Sequence, residues 1–82
     1  MKFKLTVHAQ KRCARRKIKS EWIEVALENF IKTQTDPEDS SLVHVFCPIP
    51  EKDFRVLRVI YNETISPVTI VTAYFENEVS KP

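Results

Sequence analysis

A chain of 82 residues without a single glycine has few ways to turn sharply or to bring its backbone close against a ligand. Glycine alone enters positive φ without steric cost, and phosphate cradles are built from backbone N–H groups at close range. P-loop, dinucleotide-fingerprint and EF-hand sites are therefore excluded. Two-residue hairpins also lose their usual residue. Any chemistry must come from side chains displayed on a scaffold. The length suits a single domain over 1–82, with the core expected at about 2–75 and a frayed polar tail at 76–82. With 43% apolar and 29% charged residues, the composition is that of an ordinary soluble globular protein.

The net charge of +2 conceals two halves of opposite sign. Residues 1–19 carry Lys2, Lys4, Lys11, Arg12, Arg15, Arg16, Lys17 and Lys19 and no acid, a local +8, whereas the remainder sets five basic against eleven acidic residues, −6. A positive patch of this density focuses potential towards a polyanion, and the acidic remainder limits indiscriminate adhesion. The alternative is that the halves neutralise one another in the fold or in a homodimer. No run approaches the roughly 18 apolar residues of a membrane span, and Met1-Lys2-Phe3-Lys4-Leu5 lacks the apolar region of a secretion signal. The expected compartment is the cytoplasm, without membrane contact. Cys13 and Cys47, outside any C-x-x-C spacing, read as reduced thiols.

Phe3, Leu5 and Val7 alternate with Lys2, Lys4 and Thr6, which predicts a first strand over 2–7. A short basic helix follows from His8 to Lys17. Ser20 is the expected N-cap of a second helix, with Trp22, Ile23, Ala26, Leu27, Phe30 and Ile31 on its apolar face. Thr33 to Ser41 is polar and broken by Pro37, so it reads as a loop and the most mobile segment. Strands are expected over 42–47, 54–61 and 68–75, the last two joined by a longer loop at 62–67. The predicted class is α+β in the order β-α-α-β-β-β, a mostly antiparallel sheet with two helices on one face.

His8, Arg12, Arg15 and Arg16 fall within about a 100° arc of the first helix. Arginine offers planar forks that suit phosphate oxygens, and histidine exchanges protons near neutral pH. Such a face has the minimum equipment for metal-free phosphodiester cleavage. Alternatively, some of these arginines pair with the acidic second helix or loop, and His8 caps or packs. Arg58 interrupts an apolar strand on the face of Val56 and Ile60, so it needs either a carboxylate such as Glu24 or a phosphate. Thr72 and Tyr74 share a strand face and would sit beside Arg58 if their strands are neighbours. His8, Cys13, His44 and Cys47 make a complete set of zinc-type ligands, but their spacing sends them in different directions. Neither a metal nor a cofactor is expected, and His44 reads as a satisfied histidine within a sheet.

The run from Leu5 to Ile18, with its H-A-x-x-R-x-x-x-R-x-I pattern, then Ser20 to Leu27, Val56-Leu57-Arg58-Val59-Ile60 and Ile70-Val71-Thr72-Ala73-Tyr74, resembles small domains of unknown function related to the RelE/ParE and BrnT toxins. Lys17 stands where that group commonly has glycine. The resemblance implies two helices on an antiparallel sheet and a metal-independent endoribonuclease of a toxin–antitoxin pair. RNA would be its target and a cognate antitoxin or other protein its partner. It places His8, Arg12, Arg16, Arg58, Thr72 and Tyr74 on motif positions. In the catalytic reading His8 handles a proton, Arg12 and Arg58 hold phosphate, Tyr74 positions it or acts as acid, and Arg15, Arg16 and Thr72 bind substrate. The other reading is a non-catalytic module that binds protein or nucleic acid on the same fold.

Overall fold

A computed structural model describes residues 2–76. After the short strand β1 (Phe3–Leu5), Thr6 stops the extended chain and caps helix α1 (Val7–Arg16), its Oγ1 accepting from the Ala9 amide at 3.0 Å. Such a cap contributes about 1 kcal/mol, and it starts the helix one residue before the expected His8. Lys17 closes α1 in the left-handed conformation, φ 58° and ψ 42°. Its amide donates to the Ala14 carbonyl and that of Ile18 to Cys13, the paired closure that normally uses glycine. Helix α2 (Ser20–Asn29) then begins on Lys19, which offers no side-chain cap, so Ser20 is its first helical residue rather than the cap.

Phe30 turns extended at φ −65° and ψ 150°, ending α2 before its expected last apolar pair. Phe30 and Ile31 are consequently 42% and 70% exposed instead of buried. The expected loop at 33–41 contains a further strand, β2 (Lys32–Thr35), in which Thr33 and Thr35 pair with Val45 and Val43. Strand β3 (Leu42–Ile49) runs through Pro48. That position lies beyond the four residues matched by β2, where β3 has a neighbour on one side only and proline is tolerated. A 3-10 turn (Pro50–Lys52) and the left-handed pair Asp53 and Phe54 lead into β4 (Arg55–Asn62), and β5 (Val68–Phe75) follows. Residues 77–82 of the expected tail lie outside the described residues; Glu76, its first member, is tied back by its amide to the Val56 carbonyl at 2.8 Å.

The sheet order is β1-β5-β4-β3-β2, with β1 parallel to β5 and every other pair antiparallel. The architecture is the predicted α+β arrangement of two helices on one face of a mostly antiparallel sheet, enlarged by one strand. Val43, Val45, Cys47, Ile49, Leu57, Val59, Ile70 and Ala73 meet Ala9, Cys13, Ile18, Trp22, Ile23, Ala26 and Leu27 in one core. Ile70 and Ala73 are three apart and would ordinarily face opposite ways. A register shift, in which Ile60 and Tyr61 oppose Thr72 and Ile70, skips Val71 and turns both inward. Among the described residues no helix is long and apolar enough to cross a membrane.

Candidate functional site

Across the helix-free face, Lys32, Phe46, Arg58 and Tyr74 stand in register on β2, β3, β4 and β5. Cations and rings alternate. Lys32 Nζ lies 5.1 Å from the Phe46 ring centre, and Arg58 Cζ lies 4.4 Å from Phe46 and 5.7 Å from Tyr74. Arg16 extends the row from α1, its Cζ 5.7 Å from the same Tyr74 ring. Arg16 Nη1 also donates to the Ala73 carbonyl at 2.8 Å and to Thr72 Oγ1 at 3.4 Å. The cause is angular: Arg16 sits about 20° round the helix from the buried Ala9, so its side chain leans to the edge of β5, where β1, matched only to 68–70, leaves that carbonyl unpaired.

Arg58 does not reach the anticipated Glu24. Its Nε lies 2.7 Å from Glu76 Oε2, off the N–H axis, which makes an ion pair rather than an aligned hydrogen bond. Its Nη1 lies 3.1 Å from His44 Nδ1, and His44 Nε2 lies 2.6 Å from Asp36 Oδ1. Arginine has only donors, so Nδ1 accepts and Nε2–H donates to Asp36. His44 is the satisfied, buried sheet histidine expected from the sequence. The His44 hydrogen bond, aided by the Glu38 and Asp39 amides, holds the Asp36 carboxyl below its ordinary range. These bonds also close a turn within the segment expected to be most mobile.

Beside Tyr74 the surface opens into a groove of about 320 Å³ lined by Arg16, Lys52, Arg55, Tyr74 and Phe75. The end of α1, the β3–β4 turn and the ends of β4 and β5 converge there. The Phe75 ring supports two cations, Arg55 Cζ at 5.0 Å and Lys52 Nζ at 6.0 Å, and meets Trp22 edge-on at 5.8 Å. Lys19 Nζ lies 5.4 Å from the Trp22 ring.

Of the sequence-predicted residues, the fold brings Arg16, Thr72, Tyr74 and Arg58 together. His8 and Arg15 are exposed and Arg12 half-buried on α1, and none of the three side chains makes a hydrogen bond or ion pair with a described residue. His8 lies two turns from Arg16, about 12 Å along the axis. Lys52, Arg55 and Phe75 were not foreseen, although two cations flanking Phe54 in a turn were a legible signal. Cys13 and Cys47 are free and buried in the core, and desolvation raises both thiols; Arg16 partly opposes the shift at Cys13. His44 faces away from that core, so the four zinc-type residues do not converge.

A small α+β domain with a basic, aromatic-lined groove at one end of its sheet is the class that fold and site define. Residues 5–75 match the family described as a domain of unknown function, DUF4258, and the chain belongs to it. No curated protein and no solved structure matches.

Proposed function

We propose that this domain binds RNA through the groove at the end of β4 and β5, a reading in keeping with the resemblance to RelE/ParE- and BrnT-like toxins. The observation that carries it is the convergence of Arg16, Lys52 and Arg55 with the rings of Tyr74 and Phe75. Cations that track phosphates beside planes that receive bases are what a single nucleic-acid strand requires. A cognate protein that inhibits the domain would present acidic side chains to the same groove. Arg58, held by Glu76, His44 and two rings, supports Tyr74 from behind and is a positioning residue in this reading.

Cleavage is the second reading, favoured by one observation: His8 and Arg12 share the helix face of Arg16 and are unengaged among the described residues. The ribose 2′-oxygen would bond to the adjacent phosphorus as His8 takes its proton. The P–O5′ bond would break and the 5′-oxygen would receive a proton from water, leaving a 2′,3′-cyclic phosphate; Tyr74, grouped with Arg16 rather than with His8, would position the strand instead of acting as the acid. Anisotropy of a labelled RNA at two salt concentrations, read beside a gel after incubation in EDTA, separates the two readings. Binding that weakens with salt and drops in Arg16→Gln supports the groove, and no binding at low salt overturns it. Products that vanish in His8→Ala support cleavage; intact RNA overturns it.

A further inference from the structure

The β3–β4 turn carries a residue that neither core nor fold requires in its present form. Phe54 is 67% exposed and sits at φ 63°, directly after Asp53 at φ 55°. A bulky side chain in the left-handed region is unfavourable. The conformation is fixed by the turn's own closure, because the Phe54 amide donates to the Ile49 carbonyl and the Asp53 amide to Pro50, both at 3.0 Å. An aromatic ring is thus held on a hydrogen-bonded turn, in water, where a small residue would close the same turn with less strain. Its neighbours explain what it is for. Arg55, one residue on, and Lys52, two residues back, both line the basic groove, and the Phe54 and Arg55 Cα atoms are about 3.8 Å apart.

We infer that Phe54 is a stacking platform for an unpaired base, which makes the groove selective for single-stranded over double-stranded RNA. The inference rests on the RNA reading above and deepens it. Charge complementarity selects the occupant: an apolar partner surface would have to desolvate the adjacent cations, whereas one nucleotide offers a flat π-face beside a phosphate. In a duplex the base faces are already stacked on one another, so a duplex offers Phe54 only its charge. Stacking also tolerates sequence, because every base has a π-face.

The test uses the full chain, a labelled oligoadenylate and a blunt RNA duplex of equal length, with affinity measured over a salt series. The wild-type chain should prefer the single strand. Phe54→Gly removes the ring and suits the left-handed backbone, so it folds at least as well; it should weaken single-strand binding about five- to hundredfold and leave the salt slope unchanged. Phe54→Trp should keep or tighten it. Lys52→Gln, by contrast, should weaken both ligands alike and lower the slope by about one. Equal wild-type affinity for strand and duplex, or a Phe54→Gly variant that binds the strand normally, overturns the stacking role and leaves the groove standing. Loss of all RNA binding by the wild-type chain removes the groove reading itself.

Discussion

The two faces of this sheet are buried by different means. On the helix side Leu57, Val59 and Ile70 reach zero exposure against a second layer of aliphatic and aromatic side chains from α1 and α2. On the other side no helix of the described residues lies, yet Phe46 and His44 are only 6% and 5% exposed. Their cover is made of long cations and a loop: Lys32 and Arg58 over the Phe46 ring, Asp36 over the far nitrogen of His44. Arginine and lysine stems can shield apolar surface while their charged heads stay wet. The first face is held by area and packing, which tolerate little change in volume; the second is held by directed contacts, which tolerate little change in charge.

Substitutions at four positions probe that difference, in falling order of expected effect. Leu57→Ala empties a fully buried site and should cost about 2–5 kcal/mol in urea unfolding; a smaller loss would mean that the helix side is as adaptable as the other. Arg58→Ala strips the cover from Phe46 and leaves His44 Nδ1 and Glu76 without their partner, for a cost of about 1–3 kcal/mol. Arg58→Lys should recover only part, since a lone ammonium cannot reach His44 and Glu76 while lying flat on two rings. If both variants match the wild type, the cation row is not a layer at all.

The third concerns acid. The folded-state Asp36 carboxyl titrates below its unfolded value, so its stabilising contribution is complete above about pH 4 and is lost as pH falls through the lower folded value. Asp36→Asn should therefore flatten the decline of the urea midpoint in that acid window, and an unaltered profile would discount the Asp36–His44 bond. The smallest effect belongs to Lys17→Gly. Relief of the left-handed penalty, about 1–2 kcal/mol, outweighs the added freedom of glycine in the unfolded chain, leaving a gain of about 0.5–1 kcal/mol. Because Lys17 lies outside the groove, RNA affinity should fall no further than one distal charge implies.

Much of this was legible before the fold. Alternation gave β1, and helical spacing gave α2 through Leu27. Lys32–Thr35 was missed because KTQT has no apolar pattern; it is a strand only through the ladder that β3 offers it. Phe30 and Ile31 satisfied the helical period but fell past the point where the chain must turn back to start β2. The partner of Arg58 could not be read either, since Glu24 and Glu76 are equivalent carboxylates until the sheet brings Glu76 beside β4. Lys52, Arg55 and Phe75 became groove residues for the same reason: their meeting with Arg16 depends on where two hairpins end.

The missing glycines show where sequence stops and tertiary structure begins. The sequence by itself determined three things: its composition left no glycine for a backbone cradle, its charge order made the first nineteen residues a cationic block, and its apolar periodicity pointed to a two-helix, mostly antiparallel α+β domain. It left open which residues would take the positive-φ positions that any compact chain needs. Lys17, Asp53 and Phe54 take them, because the α1–α2 closure and the β3–β4 turn are held by amide hydrogen bonds to carbonyls three and five residues back and by the packing of the elements they join, and those gains exceed the local cost. Two of the three stand on the same turn as Lys52 and Arg55, so the fold that strains the backbone there also assembles the groove.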